Sequence, residues 1–169
     1  MLFRSLLGLD PTLSGLNIVD CERLAEADHR PGVIDRKSGA AAREYVVRAT
    51  RDALDGRVSA IVTMPMNKEA TQLSDPTFVG HTELIASECG VSSFSMMLAA
   101  GDLAVTHVST HLSLVEAIAR VRARRVREVI ELTNDTLRRF LDRPRIAVCG
   151  LNPHAGEHGL FGREDIDHI

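Results

Sequence analysis

Residues 144–157 read PRIAVCGLNPHAGE, a short apolar run that leads directly into a polar, turn-rich loop. Pro144 interrupts the helical pattern before it, and we predict a buried strand over Arg145–Gly150. The loop that follows contains Asn152 and His154. Because ligands of open α/β sheets bind beyond the carboxyl ends of the strands, this loop is the first candidate for a functional site.

The same arrangement occurs at two other predicted strands. Val58–Val62 leads into the loop 63–68, which reads TMPMNK, and Leu103–Ser109 leads into the loop 110–113, which reads THLS. If the strands are parallel, their loops lie at one edge of the sheet and converge on a single crevice. We therefore expect the chemistry of the protein to collect at that edge.

Helix and strand patterns alternate along the chain, which predicts the α/β class. We expect an α/β/α arrangement with a mostly parallel sheet and one antiparallel hairpin at Gly101-Asp102. With no Trp, one Tyr and five Phe, the core must be aliphatic, as in buried parallel strands under Ala-rich helices. Ser38 is the expected cap of the first helix and Gly56 its stop. The other predicted elements are helices over Ser38–Asp55, Thr82–Cys89 and Ala123–Leu141, hairpin strands over Phe94–Ala99 and Leu103–Ser109, and a helix starting within Gly162–Ile169.

Composition and charge exclude several function classes. The chain has 169 residues, and 20 Lys and Arg against 23 Asp and Glu give a net charge of −3. We expect neither a nucleic-acid nor a membrane partner, since no basic block and no long apolar run is present. The predicted inward stripe of the helix Ala123–Leu141 is Val126, Val129, Ile130, Thr133, Leu137 and Phe140. Four arginines cluster near the start of this helix, and we interpret them as a solvated helix face rather than a phosphate or nucleic-acid patch. They are Arg122, Arg124, Arg125 and Arg127.

The cysteines and the start of the chain indicate the compartment. Cys21, Cys89 and Cys149 are odd in number and widely spaced, which argues against a disulfide framework or a Cys-based zinc site. Met1–Leu9 lacks the small-residue cleavage site of a secretory signal. We therefore expect a cytoplasmic protein, and we assign no internal domain boundary within 1–169.

His111 and His154 are the best candidates for metal ligands. Imidazole is the commonest ligand of transition metals, and a loop at a strand end can direct a ring nitrogen into a cleft. The alternative is that each ring caps a helix or bonds a loop carbonyl. Two ligands are too few for a complete site, so a further donor would come from Glu157, from elsewhere in the chain or from another subunit.

Three further features suggest binding of an anion. Residues 80–83 read GHTE and open a helix, whose free N–H groups favour an anion near His81 and Thr82. The alternative is that Thr82 only caps the helix. Lys68 follows a predicted strand and could neutralise a phosphate or prepare an alcohol for proton loss. Gly156, Gly159 and Gly162 are a weak signal for an anion-binding loop.

Several stretches together resemble one known family. They are Thr63-Met-Pro-Met-Asn-Lys68, Gly80-His-Thr-Glu83, Ser109-Thr-His-Leu-Ser-Leu114, and residues 144–157 followed by Gly159-Leu-Phe-Gly-Arg-Glu164. In order and spacing they resemble the 4-hydroxythreonine-4-phosphate dehydrogenase family of pyridoxal-phosphate biosynthesis, from about Gly15 onward. The helix that starts Ser38-Gly-Ala-Ala-Ala is similar to the branch that acts on D-threonate or D-erythronate 4-phosphate.

This resemblance implies a function and roles for individual residues. It implies the isocitrate/isopropylmalate dehydrogenase-like fold and an NAD-dependent, metal-assisted oxidation, with decarboxylation, of a small phosphorylated acid such as 4-phosphohydroxy-L-threonine. It implies that His111 and His154 bind zinc, cobalt or magnesium, that His81 and Thr82 contact substrate, and that Lys68 is catalytic. It also implies a homodimer with the metal site at the interface, whereas cofactor-binding residues are not assigned.

The length of the chain leaves alternatives open. Members of the family are roughly twice as long, so we expect 1–169 to be the central portion of a two-domain α/β dehydrogenase. The third metal histidine lies in a Tyr-His-Asp-Gln-Gly type motif, which we expect beyond Ile169. One alternative is a catalytically silent protein that keeps a partial metal or phosphate site. Another is acyl transfer to phosphate, which would not need His111 and His154 as metal ligands.

Overall fold

The computed structural model describes residues 18–169, and the chain divides at Gly90 into two compact units. The described part of the first unit is 18–90, and the second unit is Val91–Ile169. The interpretation of Met1–Leu9 concerns residues outside this range. The expectation that 1–169 is the central portion of a two-domain enzyme stays a prediction.

The described part of the first unit is built on three helices. Asp35, and not the predicted Ser38, caps the first of them, because the Asp35 carboxylate accepts the Ser38 N–H at 2.9 Å. Gly56, with a φ of +72°, follows the end of this helix as predicted. The elements are a 3-10 turn Glu26–Asp28 and helices α1 Arg36–Leu54, α2 Lys68–Gln72 and α3 His81–Glu88.

The core of the first unit forms where α2 and α3 pack against α1. Its buried side chains are Val46, Val47, Phe78 and Leu84. All four are aliphatic or phenyl groups whose burial contributes about 1.5–3 kcal/mol each. The aliphatic core expected from the composition is therefore present in this unit.

The contact between α1 and α2 depends on Gly39. A Cβ atom at Gly39 would lie 2.6 Å from the Thr71 nitrogen and even closer to the carbonyl group of Ala70. Backbone atoms cannot move aside as a side chain can, so only glycine allows α2 to approach α1 this closely. The position of α2 matters because Lys68 is its first residue.

The second unit contains the predicted hairpin. Strands β1 Met97–Ala100 and β2 Leu103–Thr106 are antiparallel, with Met97 opposite Thr106 and Ala100 opposite Leu103. The turn falls at Gly101, which has a φ of +56°. The hairpin is confirmed, although both strands are shorter than the sequence pattern predicts.

Three helices complete the second unit, and a half-buried arginine joins one of them to residues that flank the hairpin. Arg125 donates from Nε to the Val108 carbonyl at 3.0 Å and from Nη2 to the Phe94 carbonyl at 2.9 Å. It also forms an ion pair with Glu128, with an N–O distance of 2.8 Å. Arg125 is therefore not part of a solvated helix face, whereas the three other arginines are exposed as predicted. The helices are α4 Leu114–Arg120, α5 Ala123–Leu137 and α6 Glu164–His168.

The end of α5 differs from the prediction. The helix stops at Leu137 and not at Leu141, so Phe140 leaves the helical register and is 79% exposed. Val126, Val129 and Thr133 are buried, as the predicted inward stripe requires. The stripe is therefore correct only as far as the helix itself extends.

The predicted parallel sheet is not formed in residues 18–169. The two-stranded hairpin is the only sheet there, and 58–62 and 145–150 pair with no strand in that range. Val62 is 91% and Val148 47% exposed, so neither segment is buried as predicted. A strand requires a neighbour that accepts and donates its backbone hydrogen bonds, and apolar composition alone does not supply one.

Candidate functional site

Lys68 lies at the first position of α2 with its side chain exposed. Asn67 caps the helix, because its side-chain oxygen accepts the Ala70 N–H at 2.8 Å. Thr71 is fully buried, and its hydroxyl donates to the Asn67 carbonyl at 2.9 Å. Lys68 therefore begins a short helix whose backbone is fixed, and its exposed ammonium group is accessible to a ligand.

His81 and Thr82 form the start of α3. Gly80 is the N-cap, and no side chain caps the helix, so the interpretation that Thr82 is its cap is wrong. The Nε2 atom of His81 is buried and has no hydrogen-bond partner in the described part of the chain. A buried polar atom without a partner costs about 1–3 kcal/mol, and an oxygen of a bound ligand would satisfy it. Both features would suit an anionic ligand, and the contact to a substrate stays a prediction.

His111 lies between the hairpin and α4, exposed and with a φ of +58°. The helix behind it begins with a capping box, in which the Glu116 carboxylate accepts the Ser113 N–H at 3.1 Å and the Ser113 hydroxyl at 2.7 Å. These two donors lower the pKa of Glu116 below its ordinary value. By contrast, His107 has a partner within its own unit, because its Nδ1 atom lies 3.2 Å from the Met96 carbonyl oxygen.

His154 lies in a left-handed backbone segment. Within the 3-10 turn Pro153–Gly159, all five residues from His154 to His158 have a positive φ, between 41° and 81°. Only Gly156 adopts this conformation without cost, and each of the others is destabilised by about 1–2 kcal/mol. The imidazole of His154 is exposed and lies 6.1 Å from the Phe161 ring, measured between centroids. Strained backbone of this kind is often found at functional sites.

Asp165 and Glu164 hold the residues that precede this turn. Asp165 accepts the Leu151 N–H at 2.8 Å and the Asn152 N–H at 3.0 Å, and Glu164 accepts the Asn152 side-chain amide at 2.8 Å. Burial disfavours the charge of Asp165, but the two backbone N–H groups outweigh this effect and lower its pKa. Sequence reasoning did not identify either residue as part of the site.

The glycines in and just after this turn allow neighbouring groups to pack closely. A Cβ at Gly156 would lie 2.8 Å from the Gly162 carbonyl oxygen, and one at Gly162 would lie 2.9 Å from the Asn152 side-chain nitrogen. Their spacing therefore has a structural reason, and the weak interpretation as an anion-binding loop stays a prediction.

The candidate residues belong to both units. Lys68, His81 and Thr82 lie in the first unit, and His111 and His154 lie in the second. Within residues 18–169, no three His, Cys, Asp or Glu side chains are close enough to hold a metal ion. Two exposed imidazoles fit a transition metal by ligand type, and a further donor is still needed. The convergence of the loops on one crevice stays a prediction.

No helix within residues 18–169 combines the length and the apolar character that crossing a membrane requires.

Comparisons with known proteins find dehydrogenases. The chain is 45% identical over 139 residues to the D-threonate 4-phosphate dehydrogenase of Bordetella bronchiseptica, covering 81% of this chain and 39% of the relative. It is 40% identical over 164 residues to the 4-hydroxythreonine-4-phosphate dehydrogenase of Maricaulis maris, covering 92% and 48%. The crystal structure of 4-hydroxythreonine-4-phosphate dehydrogenase from Klebsiella pneumoniae matches with a TM-score of 0.83 and 41% identity, covering 89% and 46%. These relatives are named dehydrogenases, and the match to the Klebsiella pneumoniae structure is consistent with an α/β fold.

The family follows from a match to residues 8–169. This chain belongs to the family described as pyridoxal phosphate biosynthetic protein PdxA. The resemblance noted from the sequence motifs is therefore confirmed. The chain spans about half the length of the relatives that it matches.

Proposed function

We propose that the protein takes part in the NAD-dependent, divalent-metal-assisted oxidation and decarboxylation of a 4-phosphorylated hydroxy acid. The observation that carries the proposal is the pair of exposed histidines, His111 and His154, each with left-handed backbone in a stretch that resembles the family. D-threonate 4-phosphate is the first candidate substrate, because the Bordetella bronchiseptica relative has that name. 4-Phosphohydroxy-L-threonine is the second.

His111 and His154 would hold the metal ion, zinc, cobalt or magnesium. A bound divalent ion would supply Lewis acidity toward an oxygen of the substrate, and NAD would supply the hydride acceptor. Both side chains are exposed, so their ring nitrogens are accessible to a ligand. A further ligand would complete the site, and a homodimer with this site at its interface is part of the proposal.

His81, Thr82 and Lys68 would bind and prepare the substrate. The uncapped start of α3 presents backbone N–H groups and a partial positive charge to a phosphate or carboxylate. The unsatisfied Nε2 of His81 would bond an oxygen of that group. The exposed ammonium of Lys68 would neutralise substrate charge or assist proton loss from the hydroxyl. We place this activity in the cytoplasm.

A catalytically silent binding protein is the second candidate. One observation favours it: within residues 18–169, no three His, Cys, Asp or Glu side chains lie close enough together to hold a metal ion. In that case the chain would bind a metal ion or a phosphorylated acid without transferring a hydride.

Metal binding tests the histidine pair directly. Titration with Co²⁺ or Zn²⁺, followed by calorimetry, should show binding to the wild-type chain that His111→Ala and His154→Ala each weaken by at least about tenfold. His158→Ala is the matched control, since His158 is exposed and left-handed in the same turn. Equal affinities in all four proteins would contradict the assignment of the ligands.

Formation of NADH tests the reaction. The chain should produce NADH from D-threonate 4-phosphate faster than from 4-phosphohydroxy-L-threonine, and Lys68→Ala should abolish this activity. Lys37→Ala is the control, because Lys37 is the other lysine of the chain and pairs with Asp28. Metal binding through both histidines without NADH formation would favour the silent alternative, and acyl transfer to phosphate without metal binding would overturn the proposal.

A further inference from the structure

We propose that Asp165 is a positioning residue for His154. Its carboxylate fixes the backbone at residues 151 and 152, and the strained turn that follows then presents the imidazole in one direction. The inference rests on the proposed metal-binding role of His154. It concerns a residue that touches neither a metal ion nor a substrate and acts through the backbone.

Both oxygens of Asp165 are used. Oδ1 accepts the Leu151 N–H at 2.8 Å, and Oδ2 accepts the Asn152 N–H at 3.0 Å. The carbonyl oxygen of Asn152 in turn accepts the Ala155 N–H at 3.1 Å, which closes the chain around His154. A single side chain thus connects α6 to the residues that begin the left-handed turn.

The turn needs such support because its own conformation is unfavourable. His154 and Ala155 have φ values of 52° and 51°, and L residues avoid this region unless their surroundings hold them there. On the other side of the turn, the Gly156 carbonyl oxygen accepts the Phe161 N–H at 3.1 Å. Asp165 and this bond hold the turn from both sides, so loss of the carboxylate should release the His154 backbone.

The chemistry of the contact distinguishes Asp from Asn. Two neighbouring backbone N–H groups require two acceptors, and a carboxylate has two oxygens. An asparagine at 165 would keep one acceptor and turn an N–H₂ donor toward the other backbone N–H. The Asp165→Asn substitution changes the side-chain volume very little, but it removes one hydrogen bond and places two N–H donors against each other.

The test compares three variants of the full chain. Asp165→Asn removes one acceptor, and Asp165→Glu keeps two acceptors on a longer side chain. Asp167→Asn is the matched control, since Asp167 is exposed on the same helix and pairs only with Arg163, at 3.1 Å, among the described residues. Three properties are measured: amide hydrogen exchange at residues 151 and 152, the imidazole NMR signals of His154, and the affinity for Co²⁺.

We expect Asp165→Asn to accelerate exchange at both amides by about tenfold or more. The His154 signals should shift, because the imidazole moves relative to the Phe161 ring, and the Co²⁺ affinity should fall about tenfold. Asp165→Glu should recover part of each change, and Asp167→Asn should behave as the wild type. If Asp165→Asn does not fold, intermediate values for Asp165→Glu support the inference and wild-type values overturn it.

The outcomes separate this inference from the proposed function. If the wild type binds Co²⁺ through His154 and Asp165→Asn leaves the His154 signals and the affinity unchanged, the positioning role is overturned and the proposed function stands. If the wild type binds no Co²⁺ but Asp165→Asn still shifts the His154 signals, the metal role fails. The control of His154 by Asp165 is then supported on its own.

Discussion

Replacing Gly39 by alanine tests the packing that places Lys68. Gly39 is buried in α1, where alanine is normally favoured over glycine by about 1 kcal/mol. The structure predicts the opposite result, because the added Cβ would lie 2.6 Å from the Thr71 nitrogen and even closer to the Ala70 carbonyl group. These are backbone atoms of α2, so a change of rotamer cannot relieve the contact.

The magnitude follows from these distances. Heavy atoms pack best at about 3.5–4.0 Å, so α2 must move by about 1 Å or more. Overpacking costs about 1–3 kcal/mol, and the upper end applies where only backbone can yield. After the gain in helix propensity, we expect the free energy of unfolding to fall by about 2 kcal/mol, which lowers the midpoint temperature by roughly 10 °C for a unit of this size.

Fluorescence of Tyr45 provides the assay. The chain has one tyrosine and no tryptophan, and Tyr45 lies on α1, so its signal reports the first unit alone. Thermal and urea unfolding of Gly39→Ala should be compared with the wild type and with Ala40→Gly, an exposed control that should lose only about 1 kcal/mol. A higher midpoint for Gly39→Ala than for the wild type would refute the close contact of α1 with α2.

Three further perturbations test other contacts. Gly156→Ala should lower the free energy of unfolding by about 2–3 kcal/mol, because its φ is +81° and the added Cβ would lie 2.8 Å from a carbonyl oxygen. Gly101→Ala, where the Cβ would meet open space, should lower it by only about 1 kcal/mol. Both are measured by thermal unfolding followed by circular dichroism, and equal losses would contradict this packing. Arg125→Ala should lower the free energy of unfolding, measured by urea denaturation, by about 2–3 kcal/mol, because two carbonyl oxygens lose a charged donor. The same substitution at exposed Arg124 should lower it by less than about 0.5 kcal/mol. The Asp35 carboxylate caps α1, and the Ser38 N–H that it accepts lowers the pKa of Asp35. The stabilising effect of this cap is therefore present above about pH 4 and is lost as the pH falls through the folded pKa. Asp35→Asn should weaken this acid dependence, as followed by tyrosine fluorescence.

Elements with local signals were predictable from the sequence. The pattern predicts a helix over Ser38–Asp55, and α1 extends over Arg36–Leu54. The hairpin was predictable because Gly101 supplies the positive φ of its turn. The short helix α4 was missed, although Ser113-Leu-Val-Glu116 is a capping-box sequence that could have revealed it.

The parallel sheet was not predictable because strand pairing is a nonlocal property. The runs at 58–62 and 145–150 have the composition of buried strands, yet Val62 is 91% exposed in the structure. Composition describes which side chains fit a sheet, whereas formation of the strand needs a partner backbone. No such partner is present for these runs within 18–169.

The location of the candidate histidines in loops was predictable, whereas the contacts that support these loops were not. His111 and His154 lie in loops, as the sequence indicates, but the left-handed backbone of His154 and Ala155 could not be foreseen, because non-glycine residues rarely adopt it. The contact between Asp165 and residues 151–152 joins positions 13 and 14 apart in sequence. Nothing in the local pattern of either segment indicates that pairing.

Two of the candidate positions, Lys68 and His154, combine an exposed side chain with a fixed backbone. The side chains of Lys68 and His154 are exposed, but the backbone that carries each of them is fixed by other contacts. The close approach of α1 at Gly39 fixes α2, which begins with Lys68. The Asp165 carboxylate fixes the residues before the turn that contains His154. A ligand is bound most tightly when its contacts are fixed before it arrives, since less freedom is then lost on binding. Substitutions at Gly39 and Asp165 should therefore alter ligand binding at Lys68 and at His154, respectively, as strongly as many substitutions of exposed residues nearer to each ligand.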